Sequence, residues 1–249
     1  MNINIIKLES VDSTNTEAIK QARAGASEGL CVIARQQTAG RGRQGRSWVS
    51  DPDSGLYFSI VLRPQIETRL LPLITLMAGI AVYDTLAGFG LKPDIKWVND
   101  LLVEDKKICG ILAEAVETPA GLAVIVGIGI NLTSDNFPAE LAATATSIEA
   151  VTGLRLTADD LARPLTDQLS EHYSLLQQGH TEVIIQRWRE RSTFFSGKAV
   201  RVDIAGTSIE GVTDGLEENG ALRVKMPNGD IRIVQAGDVH QLRQRKIEL

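Results

Sequence analysis

Cysteine is scarce: Cys31 and Cys109 are the only two in 249 residues, and both sit inside apolar runs. That rules out a disulfide framework and suits small buried thiols in a reducing compartment. Histidine is scarce too, and His172, His180 and His240 are widely spaced and follow no ligand spacing. Aromatic residues make up 4% of the chain, too few stacking platforms for a single-strand nucleic-acid binder. The net charge of −5 likewise argues against general binding to polyanions. No charged-then-apolar leader opens the chain, and no apolar run reads as the ~20 residues that span a bilayer. Also missing are a GxxxxGK[ST] loop, a GxGxxG turn and a nucleophile elbow. These absences predict a cytoplasmic, soluble protein in which any phosphate chemistry proceeds without a protein nucleophile.

What remains is ordinary globular composition, 43% hydrophobic and 23% charged, with length for one large domain or a large and a small one. A strand is predicted over Ile3 to Leu8. A helix follows from Ser13, with Thr14 and Glu17 spaced as a capping box, and ends at Gly25. Strands are predicted at Gly29 to Arg35 and Leu56 to Leu62, and an apolar helix from Pro72 to Gly88. Asp94 to Val98 and Lys107 to Glu117 read as a hairpin turning at Glu104-Asp105, followed by a strand at Leu122 to Ile130. Helices are predicted around Ala158 to Gln178, with Pro164 in its first turns or kinking it, and around Val183 to Arg191. Beyond Gly197, short alternating segments at 198–204, 208–216, 221–226 and 230–234 are separated by turns at Ala205-Gly206, Asn219-Gly220 and Asn228-Gly229. They predict a small β-barrel and a division into residues 1–195 and 196–249.

The densest chemistry lies in Gly40-Arg41-Gly42-Arg43-Gln44-Gly45-Arg46-Ser47-Trp48, three arginines among three glycines. Glycine permits close backbone approach, and guanidinium forks suit carboxylate and phosphate oxygens. Taken alone, the segment reads equally as an anion-closing loop or a disordered Arg-Gly tract. Four other clusters stand out, each with a plain structural alternative. Ser13-Thr14-Asn15 serves as a helix cap or a polar contact. Lys96-Trp97-Val98-Asn99-Asp100 is a strand entering a turn or the rim of a site. Lys106-Lys107 is a solvated turn or a rigid cation before Ile108-Cys109-Gly110-Ile111-Leu112. Gly127-Ile128-Gly129-Ile130-Asn131 is a tight strand end or a surface for close ligand approach.

In this order, from Ser13-Thr14-Asn15 through Gln37 to Trp48, Lys96 to Asp100, Lys107 to Glu114 and Gly127 to Asn131, the clusters resemble the biotin protein ligases. The closing run Gly237-Asp238-Val239-His240-Gln241-Leu242-Arg243 looks like theirs too, so the resemblance extends from about Ser10 to Arg243. It implies an α+β fold: a mixed-sheet catalytic domain resembling class II aminoacyl-tRNA synthetases, followed by an SH3-like β-barrel. It further implies formation of biotinyl-5'-AMP from biotin and ATP, and transfer of biotin to a lysine of a biotin carboxyl carrier protein domain of a carboxylase.

On the resemblance, biotin would meet Ser13, Thr14, Gln37, Gly40, Arg41, Arg43, Lys107, Gly110 and Leu112. The nucleotide would meet Arg43, Arg46, Trp48, Asn99, Asn131 and Arg243. Lys107, Arg41 and Asp100 are the expected catalytic groups, with Asp100 also the expected contact for the Mg²⁺ that accompanies ATP. The strand carrying Gly127 and Gly129 would back the apolar part of biotin. Val98 stands where the family usually has proline, which keeps an extended backbone but loses the fixed φ. The pattern begins too early to leave space for the helix-turn-helix of the repressor members, so no DNA partner is expected. No membrane is expected either, and a homodimer through an exposed sheet edge stays open. Two rival readings are a lipoate–protein ligase, disfavoured by the arginine density, and an RNA-binding module, disfavoured by the acidic balance and the low aromatic content.

Overall fold

The computed structural model describes residues 1–135, 137–204 and 206–241. Leu242 and Arg243, and Ala205 of the predicted Ala205-Gly206 turn, lie outside the described residues. Strand β1 (Asn4–Val11) leads through α1 (Thr14–Arg23) to β2 (Leu30–Gln37). The glycine-arginine segment, containing a 3₁₀ turn at Arg43–Gly45, connects β2 to β3 (Gly55–Leu62). Helix α2 (Leu73–Ala87) precedes β4 (Asp94–Lys96), β5 (Asp100–Val103), β6 (Lys106–Thr118) and β7 (Gly121–Asn131). Short helices α3 (Ala139–Ala142) and α4 (Ile148–Thr152) lead to α5 (Ala158–Gln177) and α6 (Thr181–Glu190). Five strands close the described chain: β8 (Ser196–Ile204), β9 (Thr207–Leu216), β10 (Leu222–Lys225), β11 (Ile231–Val234) and β12 (Asp238–Gln241).

The larger sheet runs β1-β2-β3-β7-β6-β5-β4, with β1 and β2 parallel and every other pair antiparallel. Its two faces are covered by different helices. Ala18 and Ala22 of α1 pack on Val32, Val61 and Ile125, while α2 and α5 cover Ile33, Phe58, Ile60 and Val126. Alternation along each strand produces this division, because successive side chains point to opposite faces. Helix α2 is buried nearly all round, as a helix sandwiched between a sheet and two other helices must be. With the turn before it, Thr68–Ala87 has the length and apolarity to cross a membrane, contrary to the sequence reading. In the structure 67% of its most apolar window is buried inside the protein.

The smaller antiparallel sheet runs β11-β10-β9-β8-β12, and its inward valines belong to the same core as α2 and α6. Gly220 makes the tightest join. Its φ of +83° is the left-handed region, and a Cβ there would fall 2.7 Å from Leu76 Cδ1. The Trp97 indole N–H donates to the Gly220 carbonyl at 3.0 Å.

Several expectations are corrected. The hairpin predicted between 94–98 and 107–117 contains another strand, β5, so Glu104-Asp105 joins β5 to β6 and β4 lies one strand further out. The capping box at Thr14 does not form: Ser13 is the N-cap, without a side-chain cap bond, and Thr14 turns to Gln37. A capping box does form on α5, where Thr157 and Asp160 exchange bonds. Pro164 lies inside α5, which continues on both sides of it. Helices α3 and α4 and strand β12 were not foreseen; all are five residues or shorter and carry too few turns of periodicity to read.

Candidate active site

The site is built on the α1-covered face of the large sheet, just beyond the N-terminus of that helix. Ser59, Gly127 and Leu112 align across β3, β7 and β6, and two residues along, Tyr57, Gly129 and Gly110 form a parallel row. The i, i+2 spacing puts both rows on one face. Over the first row stands Asn15. Its amide donates to Leu112 O at 3.1 Å and to Glu114 Oε2 at 2.7 Å, and its Oδ1 is 2.6 Å from the Ser59 hydroxyl. Over the second row lies the Trp48 ring: a Cβ on Gly129 would fall 2.6 Å from Trp48 Cε2, and one on Gly110 2.9 Å from Cζ3. Two glycine positions thus give the floor its depth.

Gln37 fixes the near wall. Its Oε1 accepts from the Thr14 N–H at 2.8 Å and its hydroxyl at 3.2 Å, and its amide donates to Ser50 at 2.8 Å. The arginine loop lies across the opening, each guanidinium anchored to a different element. Arg41 binds Glu114 of β6 through two bonds of 3.0 and 2.7 Å. Arg43 donates to Asn99 Oδ1 at 2.9 Å, between β4 and β5. Arg46 reaches the smaller sheet and meets both oxygens of Asp238, at 2.9 and 3.0 Å.

Lys107 enters from β6 with its ammonium 2.7 Å from Asp100 Oδ1, a close ion pair rather than an aligned hydrogen bond, and 5.3 Å from the Trp48 ring centre. Nearby Lys96 is held below the ordinary lysine range by burial, which Asp100 and Asp238 oppose while Lys107 and Arg46 reinforce it. The Trp48 indole N–H is buried and meets no acceptor among the described residues.

Two pockets result. The narrow one, about 110 Å³, lies beneath the loop between Thr14, Asn15, Gln37, Arg43 and the glycine rows. The wider one, about 460 Å³, is walled by Lys96, Asp100, Asn131, Phe137, Phe194 and His240. They share Ser47, Trp48 and Lys107, which stand at their junction.

The structure therefore brings together Thr14, Gln37, Arg41, Arg43, Arg46, Trp48, Asn99, Asp100, Lys107, Gly110, Leu112, Gly127 and Gly129. Gly40 buttresses the loop: a Cβ there would fall 2.4 Å from Trp48 O. Ser13 is buried at the N-cap and lines neither pocket. Asn131 lines the wider pocket while donating its amide to Thr146 O at 2.9 Å. Arg243 lies outside the described residues. Not assigned from sequence were Asn15, Ser59, Glu114, Lys96 and Asp238. Ser59 carried a signal, a small polar residue within an otherwise apolar strand, and Glu114 a weaker one, the first charge after the apolar run Ile108 to Ala113. Asp238 lies in the closing run that carries the resemblance, but nothing in that run pairs it with Arg46.

A mixed sheet with an arginine-glycine loop closed over paired pockets, followed by a small SH3-like β-domain, defines a protein ligase of the biotin and lipoate type. Residues 8–131 match the biotin/lipoate A/B protein ligase family, and residues 195–240 match the biotin protein ligase C-terminal domain. The biotin–[acetyl-CoA-carboxylase] ligase of Paracoccus denitrificans is 33% identical over 239 residues, covering 93% of this chain and 98% of that protein. The bifunctional ligase/repressor BirA of Bacillus spizizenii is 33% identical over 235 residues, covering 88% of this chain and 72% of its own length. The Aquifex aeolicus biotin protein ligase in complex with biotin and ATP superposes with a TM-score of 0.85 at 28% identity, over 97% of this chain and 99% of that one. The chain belongs to the biotin protein ligase family.

Proposed function

We infer that this protein is a biotin–[acetyl-CoA-carboxylase] ligase: it joins biotin to ATP as biotinyl-5'-AMP, releasing pyrophosphate, and passes biotin to a lysine of a carrier domain. The observation that carries this reading is the placement of Lys107 and Trp48 where the narrow and wide pockets meet. The acid's carboxylate arrives from one side and the α-phosphate from the other. Lys107 neutralises both as the carboxylate oxygen attacks phosphorus. The narrow pocket takes biotin, its polar ring end towards Thr14, Asn15 and Gln37 and its apolar parts over Gly127 and Leu112. The wider pocket takes the nucleotide, with Trp48, Phe137 and Phe194 for the adenosine. Arg41, Arg43 and Arg46 answer the remaining charge, Arg43 reaching both ligands from its place beside Asn99.

Positioning and charge stabilisation carry the reaction, with no covalent enzyme intermediate. In the second step Asp100 stands where an incoming lysine would give up its proton on attacking the biotinyl carbonyl, with AMP leaving. Mg²⁺ is held mainly by substrate phosphates and one or two carboxylates, and Asp100 suits that role. The cation would arrive with ATP. It would draw charge from the phosphates as pyrophosphate leaves.

The same proposal treats 1–195 and 196–249 as two units of one enzyme. It places the enzyme in the cytoplasm, which suits its two free, buried thiols. DNA is not a proposed partner, given the net charge of −5 and loop arginines already facing protein acceptors. Pairing of two copies through the β1 or β4 edge is open to sedimentation. ATP–pyrophosphate exchange with biotin, with lipoate and with no acid tests the activity. Exchange that requires biotin supports it, exchange with lipoate alone moves the substrate to the sister chemistry, and no exchange with either refutes it.

A further inference from the structure

The Arg46–Asp238 pair couples the loop to a part of the chain nearly two hundred residues away. Asp238 opens β12, and that strand is rigidly mounted: Asp238 and Val239 register against Asp203 and Val202 of β8, with Val239 buried. The carboxylate spends both oxygens on one nitrogen of Arg46, Nη2, while Arg46 Nε reaches Arg43 O at 3.3 Å. These contacts orient the guanidinium, and its Nη1, which meets no acceptor among the described residues, faces an incoming anion. Two residues beyond Asp238, His240 lines the wider pocket beside Lys96 and Asp100. Asp238 also helps hold the charge of Lys96 against its burial. A single carboxylate from the small sheet thus stands in a cluster of cations that it did not need for its own fold.

We propose that Asp238 is a positioning residue for the nucleotide half of the site: it latches the arginine loop to the small barrel and aims Arg46 at the phosphates of ATP. The inference rests on the activity proposed above, and its test separates the two. In the full chain, hydrogen exchange of residues 40–48 without ligand should accelerate in Asp238→Asn and return towards wild type in Asp238→Glu. In ATP–pyrophosphate exchange, Asp238→Asn should raise KM for ATP about tenfold and leave KM for biotin within about twofold. In an Arg46→Ala background, adding Asp238→Asn should change neither constant further, because the pair acts as one unit.

Unchanged loop exchange in Asp238→Asn overturns the latch whatever the activity proves to be. Equal losses on both substrates with a lowered melting temperature would also overturn it, assigning Asp238 to barrel stability. Wild-type protein without biotin-dependent exchange would refute the activity alone, and the loop measurement would still decide the latch.

Discussion

Gly127 lies directly beneath the carboxamide of Asn15, so close that a Cβ at position 127 would fall 2.1 Å from Oδ1. Asn15 cannot yield cheaply, because Ser59 of β3 and Leu112 and Glu114 of β6 hold it from two strands. Gly127→Ala should therefore push Asn15 off its partners and into the narrow pocket. The expected result is a Kd for biotin at least about tenfold higher, equivalent to roughly 1.4 kcal/mol of binding. Titration calorimetry with biotin measures it directly, and wild-type affinity would show that Asn15 does not border the ligand.

Lys107 should matter more to rate than to binding. Removing a charge aimed at the reacting oxygens typically costs about a hundredfold or more in kcat. Lys107→Ala should lose that much pyrophosphate exchange while its circular dichroism and melting curve stay close to wild type. A variant retaining a third of the wild-type rate would place the essential cation elsewhere in the cluster.

The thiols should be silent. Burial alone pushes Cys31 up to about 12, and burial, opposed by Lys107 and aided by Asp100, raises Cys109 as well, so neither is a thiolate near neutrality. Iodoacetamide at pH 8 should leave native protein unmodified and label both residues only as denaturant unfolds it. Rapid labelling under native conditions would mean that β2 or β6 opens locally.

Asp84 ties α2 to α5 and α6, accepting from His172 at 3.0 Å and from Arg191 at 2.7 Å. Burial works to raise its carboxyl, but those bonds outweigh burial and hold it below the usual carboxylate range. A group depressed in the folded state stabilises above its unfolded pKa, and that contribution disappears as pH falls through the folded value. Asp84→Asn should cost about 2 kcal/mol near neutrality and much less in strong acid, so the two proteins converge at low pH. A series of urea melts from pH 7 down into strong acid would show it; a pH-independent difference would mean that packing rather than charge is lost.

Much of the fold was written locally. Leu56 to Leu62 and Leu122 to Ile130 are β-rich runs that could pack only as central strands, and α5 carries its own cap in Thr157 and Asp160. Strand β5 escaped because Asp100 to Val103 is four residues long and begins on a charge, and because its identity comes from pairing with β4 and β6. The site was legible where residues cluster in sequence, as in the arginine loop and the Gly127-Ile128-Gly129 run. It was illegible where contacts are made by register. Nothing near Glu114 announces Arg41, which is 73 positions away, and nothing near Asp238 announces Arg46. Thr14 shows the limit of local rules: its spacing with Glu17 suggested a cap, but Gln37 from the neighbouring strand took its hydroxyl.

The seam at Gly220 sets how small a working version of this enzyme can be made. A version ending before Ser196 would leave the Trp97 N–H without its carbonyl and bare the Leu73 and Leu76 side chains that Gly220 covers. Trp97 precedes Val98, Asn99 and Asp100, so damage there would reach the reaction centre through the chain itself. Trimming for a compact biotinylation reagent would therefore have to spare the barrel, and loops such as Asn228-Gly229, where a Cβ meets nothing within 4 Å, are the places left for grafting.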